Sequence, residues 1–216
     1  LRGGSEKVQY FMSGGFLNQG TPFNNGFTHN RQINVRSNLD ARVNNYIKVS
    51  LDLSAKKLDR VLPRDGSVNG GSMYSHVALN LPTILAKYPG TDLAAPARDG
   101  DNPLVQTSGE AGETKTDRWI FNSLANITID LPWVKGLSAY IRATFDNNNS
   151  VQKTFNTPVT LYTYKKETGN IEEDYKTTYP EAKITLEEID RFVDNKLLEF
   201  GVNYNRTFVG KHDVSG

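Results

Sequence analysis

The sequence predicts an all-β protein, an antiparallel up-and-down meander that is a fragment of a large transmembrane β-barrel. Three observations lead there. Apolar residues recur at every second position, short and long connections alternate along the chain, and the cleanest apolar faces carry no charge.

The alternation is clearest over residues 31–43. Ile33, Val35, Leu39, Ala41 and Val43 take odd positions, and Gln32, Asn34, Arg36, Asn38, Asp40 and Arg42 take even ones. Successive strand side chains point to opposite faces, so this segment has one apolar and one polar face. Residues 47–55 repeat the pattern, with Ile47, Val49, Leu51, Leu53 and Ala55 against Lys48, Ser50, Asp52, Ser54 and then Lys56. Asn44-Asn45 between them signals a tight hairpin, since Asn tolerates positive φ. Over residues 137–145, Leu137, Ala139, Ile141, Ala143 and Phe145 oppose Ser138, Tyr140, Arg142 and Thr144. The hairpin partner is 116–131, where Trp119, Phe121, Ala125, Ile127, Ile129 and Leu131 share a face. An opening strand over about 5–17 aligns Val8, Tyr10, Met12 and Phe16, and a closing one over about 195–206 aligns Leu198, Phe200, Val202 and Tyr204. The expectation is about six strands and the start of a seventh.

Connections at 44–45, 132–136 and 207–211 are short, and those at 18–28, 59–115 and 147–183 are longer. In a meander, alternate connections lie at opposite ends. Outer-membrane barrels have this plan, with short periplasmic turns and long extracellular loops. The main extracellular loops are thus expected at 59–115 and 147–183.

Charge and aromatic placement agree. The apolar faces of 33–43, 47–55 and 137–145 contain no Asp, Glu, Lys or Arg. A charge on a lipid-facing strand position costs about 2–4 kcal/mol at mid-bilayer. The expected lipid-facing set is Ile33, Val35, Leu39, Val49, Leu51, Leu53, Ile141 and Ala143. The opposite set, Arg36, Asp40, Arg42, Lys48, Asp52, Lys56 and Arg142, is expected to face a polar lumen as a salt-bridged wall. Tyr46, Trp133 and Phe208 flank the short turns, and Phe16, Trp119 and Phe145 lie toward the long loops, as two interfacial girdles require.

Inside the loops, Met73, Val77 and Leu81 recur at helical spacing until Pro82 interrupts them. Over 185–194, Thr185 with Glu188 forms a capping-box pattern, and a short helix or irregular segment is expected there. Tyr74 and Tyr88 are candidate substrate contacts, because aromatic faces stack on sugars. Asp99-Gly100-Asp101-Asn102 offers oxygen ligands of the kind Ca²⁺ takes, yet lacks the following acidic ligand, and a turn is expected instead.

Composition narrows the class. The chain has 25 basic and 24 acidic residues, a net charge of +1 and no cysteine. That balance argues against a nucleic-acid partner and removes thiolate metal sites and disulfides. No apolar run approaches the ~20 residues of a spanning helix. The mean hydropathy of −0.53 suits a barrel, whose strands need only every second residue apolar. His29, His76 and His212 are scattered, and no HExxH or GxSxG occurs, so neither catalysis nor a cofactor is expected. Leu1 is not a start residue and Asp213-Val214-Ser215 reads as a strand beginning, so the chain is expected to be part of a larger barrel.

Gly3-Gly4-Ser5-Glu6-Lys7-Val8-Gln9-Tyr10-Phe11, followed by Ser13-Gly14-Gly15-Phe16-Leu17-Asn18-Gln19-Gly20, resembles the early barrel of SusC-like (RagA-like) TonB-dependent transporters of the Bacteroidetes outer membrane. Arg36-Ser37-Asn38-Leu39-Asp40-Ala41 with Lys48-Val49-Ser50-Leu51-Asp52-Leu53-Ser54 resembles the family's next hairpin. Asp101-Asn102-Pro103-Leu104 is similar to a loop motif, and Lys135-Gly136-Leu137-Ser138 and Tyr204-Asn205-Arg206-Thr207-Phe208 to later turns. The match spans nearly the whole chain in order. The resemblance implies a barrel of about twenty-two strands closed by an N-terminal plug, which these residues lack. It implies import of oligosaccharides or peptides powered by the TonB complex, with a SusD-like surface lipoprotein as partner. A passive porin or adhesin barrel is the alternative without a plug. A soluble β-rich binding module is the alternative without a membrane.

Overall fold

A computed structural model describes residues 1–20, 26–64, 73–97, 102–165, 168–170, 174–177, 183–208 and 212–216. The protein is built on an eight-stranded sheet. Its strands are β1 (Arg2–Gly4), β2 (Val8–Gly20), β3 (His29–Arg42), β4 (Ile47–Pro63), β5 (Gly112–Asp130), β6 (Leu137–Asn156), β9 (Thr185–Phe208) and β10 (His212–Ser215). Each strand pairs antiparallel with its neighbour in chain order. Two short helices, α1 (Met73–Leu79) and α2 (Pro103–Ser108), and the hairpin β7 (Tyr162–Tyr164) and β8 (Tyr175–Thr177) lie in the loops. The all-β up-and-down architecture read from the alternation is the one observed.

The turns form for local reasons. The Asn44 side-chain oxygen accepts the backbone N–H groups of Tyr46 and Ile47, both at 2.8 Å. Asn44 thus holds its turn through its side chain, as Asn does in Asx-turns. Gly136 closes the β5–β6 turn at φ +89°, and a Cβ there would collide with the Asn205 carbonyl, so only glycine fits.

Several strands run further than the sequence suggested. The loops are 64–111 and 157–184 rather than 59–115 and 147–183, because β4, β5 and β6 continue upward. Above Ala55 both faces of β4 mix charged residues with apolar ones such as Leu58 and Val61, which hides the alternation while the hydrogen-bond ladder persists. Residues 185–194 are strand, not helix: Thr185 to Asp194 pair in register with Asn156 to Asn147. The long β6 edge supplies backbone partners that the local capping pattern cannot match. The opening strand starts at Val8, and Arg2–Gly4 is a separate short strand beside it. Loop sorting survives these corrections. The strand ends joined by the β1–β2, β3–β4, β5–β6 and β9–β10 connections lie at one end of the sheet, and those joined by the β2–β3, β4–β5 and β6–β9 connections at the other.

Candidate functional site

Register assembles two opposite faces from the alternating residues. In an antiparallel pair, residues directly opposite share a face. Tyr10, Leu39, Leu51, Ala125, Ala143 and Leu198 therefore form one row across six strands. Val8, Ala41, Val49, Ile127, Ile141 and Phe200 form the next. All eight residues of the expected lipid-facing set fall on this face. None of them is buried, and among the described residues no helix or second sheet covers them. Ile33 is 51% exposed, Phe200 68% and Leu198 58%, values that a packed core never shows.

The apolar area is a band with limits. Stretches free of charged and carboxamide side chains run Val8–Phe16 on β2, Ile33–Val43 on β3 and Ile47–Ala55 on β4. They run Trp119–Leu131 on β5, Leu137–Phe145 on β6 and Leu198–Tyr204 on β9. Their mean length is about 10 residues, what a tilted spanning strand needs. Arg31, Lys57, Asp117, Asn147 and Lys196 follow at the upper limits. Phe16, Trp119 and Phe145 each end the stretch toward the long loops, and Tyr204 ends it at the short turns. The Lys57 ammonium lies 4.9 Å from the centre of the Trp119 ring, a contact that lets a boundary lysine keep its charge at the edge of the band.

The band runs obliquely. Its midpoint is residue 12 on β2, whose row meets β9 at Lys196, whereas its midpoint on β9 is near residue 201. It drifts about 5 residues, roughly 17 Å, over five strand spacings, roughly 24 Å. The band is thus inclined about 35° to the hydrogen-bond rows, close to the 35–45° strand tilt of membrane barrels.

The seven polar residues singled out from sequence share the other face. Arg36, Asp40, Arg42, Lys48, Asp52, Lys56 and Arg142 all fall there by register. Lys48 pairs with Asp130 at 3.0 Å and Arg142 with Glu199 at 3.3 Å. The Asn38 amide donates to Asp52, and Arg36 donates to Asn38 at 3.1 Å. Gly15 is on this face, where the Asn34 amide leans across it, and Gly14 is on the apolar one. Two depressions open here, one lined by Arg36, Asp52, Asn122 and Asp146, the other by Gly15, Asn34, Arg36 and Lys56.

The two long loops are joined. Ala94, Val105 and Leu161 form a small core with Val159 packed on it. Tyr162 N–H donates to the Ala94 carbonyl at 2.9 Å. The Tyr88 hydroxyl donates to the Tyr162 carbonyl at 3.0 Å and accepts from Tyr164 N–H at 3.2 Å. The Tyr88 ring packs 4.8 Å from that of Tyr175. Tyr88 is thus a joint between loops, which its sequence context did not reveal. Tyr74 is in α1, but its side chain lies outside the described residues, as do 99–101 of the acidic turn.

Asn102 organises this junction. It is buried, donates to the Ala86 and Ala95 carbonyls at 2.6 and 2.8 Å, and accepts from Leu104 and Val105 N–H as the N-cap of α2. Asn102 before Pro103 is a helix-start pattern, where the sequence suggested only a turn and a loop motif. Asn102→Ala removes the cap and strands two carbonyls, a local cost of about 2–4 kcal/mol. Hydrogen exchange of residues 157–165 should accelerate in this variant, with the β2–β6 amides unchanged. Unchanged protection of 157–165 would show the loops to be independent.

No protein-family model matches the chain, and no curated protein is similar to it.

Proposed function

We propose that this sheet is part of the wall of a bacterial outer-membrane β-barrel, with the apolar band in lipid and the charged face toward the lumen. The oblique band carries the reading. A soluble sheet has no cause to incline its apolar surface to its hydrogen-bond rows, whereas tilted strands crossing a flat membrane must. Among the described residues no helix is long and apolar enough to cross a membrane, and a barrel crosses with strands. In lipid, unpaired strand edges have no water to bond, so further strands complete the ring beyond β1 and β10.

The whole protein is, on this reading, a TonB-dependent importer of oligosaccharides or peptides that works with a SusD-like surface lipoprotein. That part rests on the ordered motifs from Gly3 to Phe208 that resemble the SusC-like transporters. The topology has a direct test. An epitope inserted beside Gly169 should bind antibody on intact cells. One inserted at Asn44-Asn45 should bind only after the outer membrane is breached. The reverse pattern would refute the assigned orientation.

A further inference from the structure

The polar face is divided by charge along its height. From Arg36 upward to Arg60, four register rows across β2–β6 and β9 hold Arg36, Lys56, Arg60, Arg118 and Arg191. Asp146 is the sole carboxylate in those rows, and it accepts the Asn122 amide at 2.8 Å. None of the five cations has an ion-pair partner among the described residues. Arg36 and Arg118 donate only to the neutral Asn38 and Asn148. Below Arg36 the two signs are mixed, with Asp40, Asp52, Asp130 and Glu199 beside Arg2, Arg42, Lys48 and Arg142. The cations there include two that are paired.

The five cations are contiguous. Arg36 is opposite Ser54, next but one to Lys56, and Lys56 is opposite Ile120, next but one to Arg118. Diagonal neighbours of this kind are within reach of long side chains, about 7–8 Å apart at Cα. Arg60 stands diagonal to Arg118, and Arg191 shares a row with Arg118 through Ser150. Like charges so close repel, and a face that keeps them unpaired gains stability when an anion neutralises them. Amides and hydroxyls, among them Gln32, Asn34, Asn122 and Ser150, stand between the cations, with the aliphatic Leu17, Leu58, Ile120, Ile189 and Val193 in the same rows. No aromatic residue stands in these rows. Such a field suits a hydroxyl-rich solute with negative charges. It offers no aromatic stacking platform for a neutral sugar, and its amides and hydroxyls can hydrogen-bond the hydroxyls of a charged one.

We infer that the upper polar face binds an acidic oligosaccharide through Arg36, Lys56, Arg60, Arg118 and Arg191. This rests on the barrel reading, in which a closed wall makes this face the lumen just below the long loops. The site's groups are sulfates or carboxylates on the sugar, held by guanidinium forks and the Lys56 ammonium.

The test uses the intact protein purified in detergent and binding calorimetry. The probes are dextran sulfate fragments, unsulfated dextran of the same length, and polyglutamate of the same charge. The sulfated sugar should bind at least ~10-fold more tightly than either other probe and weaken steeply with salt. The variant K56Q/R118Q/R191Q should lose at least ~10-fold. The control K57Q/K115Q/K153Q, whose lysines occupy the opposite face beside Asp117, Glu113 and Glu188, should bind as the parent does. Equal binding of sulfated and plain dextran would overturn the inference, and so would equal loss in both variants. Equal or tighter binding of polyglutamate would overturn it in favour of an acidic peptide. A protein that inserts into lipid vesicles yet ignores the sulfated sugar refutes only this inference. One that does not insert refutes the barrel reading itself.

Discussion

Leu51→Arg should destabilise the folded protein in a bilayer by about 2–4 kcal/mol, while Ser50→Arg should cost under about 1 kcal/mol. The two positions are adjacent in β4 and differ only in face. Leu51 sits in the middle of the apolar band, between Leu39 and Ala125. Its row contains no residue that could pair with an arginine. A guanidinium there must stay in hydrocarbon or drag water inward, and both are costly. Ser50 stands opposite Asp40 on the polar face, so the same side chain finds water and a carboxylate. Urea unfolding from lipid vesicles, read by tryptophan fluorescence, measures both costs. Equal costs, or a larger one at Ser50, would contradict the assigned faces.

The difference matters because, among the described residues, no second layer of protein covers either face of this sheet. Of the buried apolar residues, Ala94, Val105 and Leu161 belong to the loop junction and Val61 to the upper end of β4. The apolar residues of the band are exposed or half-buried, none buried, so the sheet's stability in isolation must come mainly from hydrogen-bonded pairing. Burial of that band in another phase is then the missing favourable term, at about 25 cal/mol per Å² of apolar surface.

The parts legible from sequence are those where one physical rule acted alone. Between Ile33 and Ala55 the band crosses two strands that are apolar on one side and polar on the other, and period two is unbroken. The seven polar residues were placed on one face by parity alone, and register keeps them together. The upper strands were hidden because Lys57, Asp59, Lys115, Asp117, Lys153 and Glu188 make the outer face polar too. Parity then carries no contrast, and the backbone ladder that continues there leaves no trace in side-chain type. Arg60 and Arg191 were missed for the same reason. Residues 185–194 misled because Ile189, Phe192 and Val193 fit a helical stripe. In the sheet, Phe192 faces outward while Ile189 and Val193 face the polar side. The loop junction could not be read, since Tyr88 and Tyr162 are 74 positions apart and no local pattern links them.

The central claim is that one face of this sheet meets lipid, and a nitroxide scan of the protein in vesicles tests it most directly. Labels would be placed singly at Ile47 through Ala55, and at Ile33, Val35, Leu39, Ile141 and Ala143. Collision with oxygen, which concentrates in hydrocarbon, is compared with collision with a water-soluble nickel chelate. The account predicts strict period two. Odd positions, including Val49, Leu51 and Leu53, should favour oxygen, and Lys48, Ser50, Asp52 and Ser54 should favour nickel. Oxygen preference should also peak along the oblique band, so that Met12 and Val202 match in depth more closely than Met12 and Lys196. Nickel access at the odd positions, or no alternation between faces, would contradict the account.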